Sequence, residues 1–185
     1  MSFFIQSSFL TNPQIRSYTV NQFSERASQA YRELIDALGL EGHLSDPEAS
    51  ARLSAQLLYK LTREAHKPVP KVSLIDATSS DWVMLNDMPF YSLCEHHFVP
   101  FFGTATVEYL PDRHIAGLGS FFRLLEHFAR RPQLQERLTQ QFCDALYDAL
   151  QPKAIRVTLR ARQMCLELND RPAITVETRA ERKKD

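Results

Sequence analysis

Ile155-Arg156-Val157-Thr158-Leu159-Arg160-Ala161-Arg162 alternates strictly between apolar and polar side chains and runs on into Gln163-Met164-Cys165. A sustained period of two predicts an antiparallel strand with one buried face, here Ile155, Val157, Leu159 and Ala161. By parity Gln163 and Cys165 continue on that side, which would aim a thiol into the fold. Gly103 to Leu110 carries the same pattern, with Ala105, Val107 and Tyr109 opposite Thr104, Thr106 and Glu108.

Working outward, two helical stretches separate these strands, about Ser120–Arg130 and Gln133–Leu150, broken at Pro132. In the second, Leu134, Leu138, Phe142, Ala145 and Ala149 form an apolar stripe, and Cys143 reads as an inert packing thiol. Upstream, Ala27, Ala30, Tyr31, Leu34, Ile35 and Leu38 recur at helical spacing from Ser24, and Gly39 suits a C-terminal cap. Asp46 followed by Pro47 predicts an N-cap with proline at the first helical position, and the helix continues through Leu53, Leu57, Leu58 and Leu61 to about Ala65. Shorter strands are expected at Val72–Ile75 and Trp82–Leu85. Residues 1–21 read as an arm or extended lead-in. The charged tail from Arg179 reads as frayed. The resulting division is an N-terminal arm with helices over 1–65 and a main domain over 66–185.

The chemistry concentrates in Ser92-Leu93-Cys94-Glu95-His96-His97-Phe98-Val99-Pro100-Phe101-Phe102-Gly103. Cys94 and His97 are three apart, so a thiolate and an imidazole can reach one ion from a single tight turn. Cys165 lies far downstream, and Cys₂His is one of the ligand sets that leave a fourth zinc position open. The alternative is a closed zinc knuckle or a satisfied loop histidine. A closed knuckle needs a fourth ligand, and there is no second Cys-x-x-Cys or Cys-x-x-His. The aromatic, proline-bearing flank predicts a dry, rigid pocket around the site.

Composition limits the partners. The chain has 185 residues, 44% apolar and 24% charged, the profile of a globular protein. Its 22 basic and 22 acidic residues cancel, so bulk attraction to nucleic acid or an anionic membrane is not expected. Apolar runs fall short of the ~20 residues of a membrane helix. The opening Met-Ser-Phe-Phe-Ile-Gln lacks a basic region followed by an apolar core, so no secretory signal is expected. Three cysteines, an odd number, suit a reducing compartment, with cytoplasm the default.

Pro89 to His97, Gly117-Leu118, Arg123, Ala129 to Thr139 and Ala161-Arg162-Gln163-Met164-Cys165 together resemble the GTP cyclohydrolase I family. The resemblance implies an α+β tunnelling fold, an antiparallel sheet backed by helices, assembled as rings. A homodecamer with active sites at subunit interfaces is the implied assembly. It also implies a zinc-dependent hydrolase acting at C8 of a guanine ring, releasing formate on the way to a dihydropterin. Cys94, His97 and Cys165 would then be the zinc ligands and His96 a proton-transfer partner for purine N7. Glu136 would accept from guanine N1–H and the exocyclic amine, with Gln135, Arg123 and Gln163 also on the substrate. The plainer alternatives are a solvated helix face for Glu136 and a merely orienting role for His96.

Departures from the family pattern fall on one side of the substrate. Gly119 and Ser120 stand where the family has Ser-Lys, Gln163 where it has a catalytic histidine, and Asn169 where an arginine grips triphosphate. The family's closing Gly, Ser and Thr-rich motif has no good counterpart in Asn169–Thr178. Glutamine cannot shuttle protons near neutral pH as histidine does. Three readings follow. One is a diverged paralogue opening a purine-like ring with altered ribose and triphosphate handling. Another is GTP cyclohydrolase I proper, with Arg160, Arg162 or Arg171 supplying the missing contacts. The third is a non-catalytic ring protein that binds a purine or pterin. Retention of all three ligands with His96 and Glu136 favours the first two.

Overall fold

The computed structural model describes residues 20–78 and 81–184, with side chains from Glu25 onward. The lead-in expected over residues 1–21 therefore falls outside the described residues up to position 19, and Val20 already belongs to a helix. The chain divides into two compact units, one ending at Tyr59 and the other beginning at Lys60.

The first unit contains α1 (Val20–Ala37), a 3₁₀ turn at Glu41–His43, and most of α2 (Pro47–Thr62). Both predicted caps are present. Gly39 has a φ of 66°, and Leu40 N–H donates to Ile35 O at 3.0 Å, closing α1. Asp46 Oδ1 accepts from Ala49 N–H at 2.8 Å at the start of α2. Arg32 ties the unit together by pairing with Asp36, Glu41 and Glu48. α2 stops at Thr62, short of the expected Ala65. The apolar positions Leu34, Leu38, Leu53 and Leu57 are all exposed in this chain.

The second unit is built on a five-stranded sheet ordered β5-β2-β3-β6-β7, comprising Pro132–Gln133, Val83–Cys94, Pro100–Leu110, Ala154–Gln163 and Thr175–Lys183. All pairings are antiparallel except the short parallel bridge of β5 to Leu93 and Cys94. A separate ribbon pairs β1 (Leu74–Asp76) with β4 (His114–Ala116). Helices α3 (Leu118–Ala129) and α4 (Gln135–Leu150) supply the rest of the core. Phe101, Ala105, Val107, Val157 and Leu159 of the sheet are buried with Phe121, Leu124, Leu138 and Phe142 of the helices. Each large apolar side chain so buried contributes about 1.5–3 kcal/mol. The α4 stripe turns slightly from the expected one, burying Leu146 and Leu150 rather than Ala145 and Ala149. Cys143 packs in the core, and burial pushes its thiol up to about 11.

Three expectations are corrected here. The strand expected at Trp82–Leu85 runs on to Cys94, because a bulge between Leu85 and Met88, with Asp87 at φ 53°, carries the ladder past Asn86-Asp87. The tail is not frayed: Thr175–Lys183 form β7, registered on β6 from Thr175↔Arg162 to Lys183↔Ala154. Its charges serve the strand, since Arg156 binds Glu181 at 2.5 Å and Arg160 lies 3.5 Å from Glu177. Finally, Cys165 does not continue the β6 alternation. β6 ends at Gln163, and Cys165 sits on the single-turn helix α5 (Met164–Glu167). Among the described residues no helix is long and apolar enough to cross a membrane.

Candidate metal centre

Two arms of chain meet at one end of the sheet. The first is the β2–β3 turn, where Cys94 N–H donates to Val99 O and Phe98 N–H to Cys94 O, each at 2.9 Å. Phe98 closes the reversal with a φ of 54°, a left-handed conformation uncommon for an aromatic residue. The second arm is the end of β6. Phe101 opposes Gln163 in the ladder, so α5 emerges beside the turn. Asn169 Nδ2 donates to Cys165 O at 2.7 Å and fastens α5.

Ligand atoms of Cys94, His97 and Cys165 all lie within 4.8 Å of one another. Cys94 Sγ is 3.6 Å from His97 Nδ1. Zinc bonds of ~2.3 Å to sulfur and ~2.0–2.1 Å to nitrogen at a tetrahedral angle separate such a pair by about 3.5 Å. Two thiols and an imidazole are a zinc-type donor set, and their spacing fits a metal ion. Burial, then the neighbouring Cys94 sulfur, pushes the Cys165 thiol up. Cys94 is buried, Cys165 half-buried and His97 exposed, so the cluster is open on one side. The dry pocket expected from the flanking sequence is not formed by this chain alone, for Phe98 is 57% exposed.

The other anticipated site residues separate into groups. The exposed His96 stands beside the cluster, its ring centre 6.2 Å from that of His97. Gln135 is 4% exposed and its amide is spent within the chain. Its Nε2 lies 3.2 Å from Leu159 O, 3.0 Å from Val176 O and 3.2 Å from Thr178 Oγ1. Its Oε1 accepts from Gln163 Nε2 at 2.6 Å. Both glutamines expected on substrate are thus engaged with each other. Glu136, on the next position of α4, is exposed and lines a groove of about 450 Å³ with Thr178 to Arg182. Arg123 lies on α3, where it donates to Ser120 Oγ at 3.0 Å. The structure therefore gathers the three ligands with His96 beside them, pairs Gln135 with Gln163 two residues before Cys165, and ties Arg123 to Ser120 on α3.

Ser120, at a departing position, and two of the arginines expected as substitutes, Arg160 and Arg162, have structural work of their own. Ser120 is buried, and its Oγ also accepts from Ser73 N–H at 3.0 Å. Arg162 binds Glu167 through two contacts of 2.9 and 2.5 Å, and Arg160 faces Glu177. The residues that sequence reasoning missed are Glu95, Gln133 and Arg137. Glu95 N–H donates to Gln133 O at 3.2 Å, and the Glu95 carboxylate is held by Arg137. Position inside the Cys-Glu-His-His run, and two places after Gln135, was the available signal.

This combination is an α+β sheet with a Cys-His-Cys cluster, one that could hold a metal ion, where β2 and β6 end on either side of β3. Residues 23–183 match the family described as GTP cyclohydrolase I, and the chain belongs to that family. Its tunnelling fold is the family's, and the helix-backed, largely antiparallel sheet agrees. A "GTP cyclohydrolase 1" of Chlorobium phaeovibrioides is 39% identical over 149 residues, 78% of this chain and 66% of that one. One of Streptococcus thermophilus is 40% identical over 78% of this chain and 79% of its own. One of Corynebacterium aurimucosum is 37% identical over 85% of this chain and 84% of its own. A solved structure of the archaeosine synthase QueF-Like in the apo form is similar at a TM-score of 0.48 and 21% identity. It covers 59% of this chain and 99% of that one.

Proposed function

We propose that this chain is a zinc-dependent hydrolase of the GTP cyclohydrolase I type, opening the imidazole ring of a guanine-containing substrate with loss of formate, and that its handling of ribose and triphosphate has changed. The observation that carries the reading is the convergence of Cys94, His97 and Cys165 with one side open. Zinc held there would supply a Lewis acid and a hydrolytic nucleophile near neutral pH. His96, exposed beside the cluster, would exchange a proton with purine N7. Glu136, exposed at the start of α4, would present both carboxylate oxygens in one plane to accept from N1–H and the exocyclic amine. Its place on a groove apart from the ligands supports a site completed by a neighbouring subunit, in a ring of about ten chains as in the family pattern.

The phosphate end of the site is where the chain differs. Arg162 and Arg160 already face carboxylates, which leaves them less available to an anion. Each charge-assisted contact contributes ~1.5–3 kcal/mol, so two lost cations weaken a triphosphate grip by roughly two to four orders of magnitude. A second reading, conversion of GTP itself, is favoured by relatives 37–40% identical that bear that name. Formate release from GTP, GMP, guanosine and guanine by the zinc-loaded protein tests both. A kcat/KM that does not fall as phosphates are removed supports the altered site. A steep preference for GTP restores the ordinary activity, and no formate from any of them overturns the hydrolase reading.

A further inference from the structure

We propose that the first turn of α4 sets the geometry of the metal centre, with Gln135 and Arg137 as positioning residues that hold its two arms in register. Cys94 ends β2 and Cys165 follows β6, and these strands are not neighbours, because β3 lies between them. Two strand spacings amount to about 9.6 Å, yet the ligand atoms lie within 4.8 Å of one another. Side chains from both arms span that gap over β3, so the distance between the ligands depends on how each arm is held.

The α4 turn reaches each arm separately. Arg137 takes the Glu95 carboxylate of the first arm, donates through Nε to Gln133 Oε1 at 2.8 Å, and lies 3.3 Å from Pro132 O through Nη2. Gln133 is itself anchored, 1% exposed, with Nε2 donating to Phe128 O at 3.0 Å and Gln141 Oε1 at 2.8 Å. Gln135 takes the second arm by accepting from Gln163, two residues before Cys165, while its own amide is fixed to the β6 and β7 backbones. Residues two apart on a helix point in opposed directions, which is why one turn can serve both sides. Thr139, one turn on, bonds Thr178 Oγ1 at 2.6 Å and pins the helix to β7. Neither Gln135 nor Arg137 needs to touch a metal to govern where its ligands stand.

The inference rests on the metal reading above, so the test has one readout with metal and one without. Full-length protein is compared with Arg137→Gln, Arg137→Lys, Gln135→Leu and Gln135→Glu. Arg156→Gln, which breaks ion pairs to Glu181 and Glu108 elsewhere on the sheet, serves as control. Cobalt(II) titration gives affinity and the thiolate charge-transfer and ligand-field bands. Dibromobimane, which fluoresces when it bridges two nearby thiols, reports the approach of Cys94 and Cys165 in metal-free protein. Arg137→Gln and Gln135→Leu should bind cobalt about 10–100-fold more weakly, the range for lost outer partners of metal ligands. They should also show altered bands and slower bridging. Arg137→Lys and Gln135→Glu, which retain part of each contact, should fall between these and wild type, and Arg156→Gln should match wild type. Wild-type affinity, bands and bridging in the folded variants would overturn the proposal. Should the wild type take up no cobalt, the metal reading fails, and the bridging rates alone decide the positioning role. Should Gln135→Leu or Arg137→Gln not fold, the milder pair decides it.

Discussion

Gly103 lies directly against the backbone of Arg160: a Cβ at position 103 would stand 1.8 Å from the Arg160 carbonyl oxygen and 2.7 Å from Ala161 Cα. β3 and β6 approach here more closely than any side chain at position 103 permits. The same pair of strands carries Phe101 opposite Gln163, so this close approach lies two residues from the register that brings the arms of the metal centre together.

Gly103→Ala should therefore destabilise the fold by about 3 kcal/mol or more, since the obstruction is backbone and cannot swing away. For a chain of this size that lowers the thermal midpoint by on the order of 6–12 °C. Calorimetry or a circular dichroism melt reads it directly, and an unchanged midpoint would mean that the strands separate locally without cost.

Cys165→Ala should release the metal. Loss of one ligand of three exceeds the ~10–100-fold effect of losing an outer partner, and ring opening should disappear with the ion. Metal content after gel filtration is the measurement. Undiminished zinc in the variant would remove Cys165 from the site.

His127 gives a pH-dependent stability. It is 2% exposed, with Nδ1 3.7 Å from Glu64 Oε2 and without a hydrogen-bond partner among the described residues, and Nε2 2.7 Å from Arg131 Nη2. Burial, then the Arg131 charge, pushes its pKa below the usual 6.5. The folded state thus favours the neutral ring. As pH falls below about 6.5, the unfolded chain takes up a proton that the folded chain refuses, and stability declines until the folded pKa is passed. His127→Phe should flatten that decline. Urea midpoints for metal-free wild type and variant at roughly pH 7.5 and 5.5 compare the slopes directly; an equal loss in both would assign the acid sensitivity to other groups.

Assembly is testable on the intact chain. Among the described residues β7 has a strand partner on one side only, and β2 is joined beyond β3 only at Leu93 and Cys94. Unpaired edges of this length are normally covered. Mass photometry should show a species near ten chains. A stable monomer with full activity would contradict a site completed between subunits.

The sequence alone determined the parts that rest on local periodicity and spacing. The alternation at Ile155–Arg162 predicted β6, Asp46-Pro47 and Gly39 predicted helix caps, and Cys94-x-x-His97 predicted two ligands on one turn. Each is decided by neighbours within a few residues, where side-chain direction follows from backbone period. The cross-strand relations were decided only by tertiary structure. β7 was hidden because its charges signal solvent until Arg156 and Arg160 are seen opposite Glu181 and Glu177. The upper half of β2 was hidden by the Asn86-Asp87 bulge. Cys165 was expected to reach the site as a continued strand, but α5 turns it there instead. Gln135 and Gln163 were both read toward a substrate, and they bond each other because α4 crosses the end of β6, a contact between residues 28 apart. No pattern along the chain specifies which buried amide finds which partner; packing of helix against sheet does.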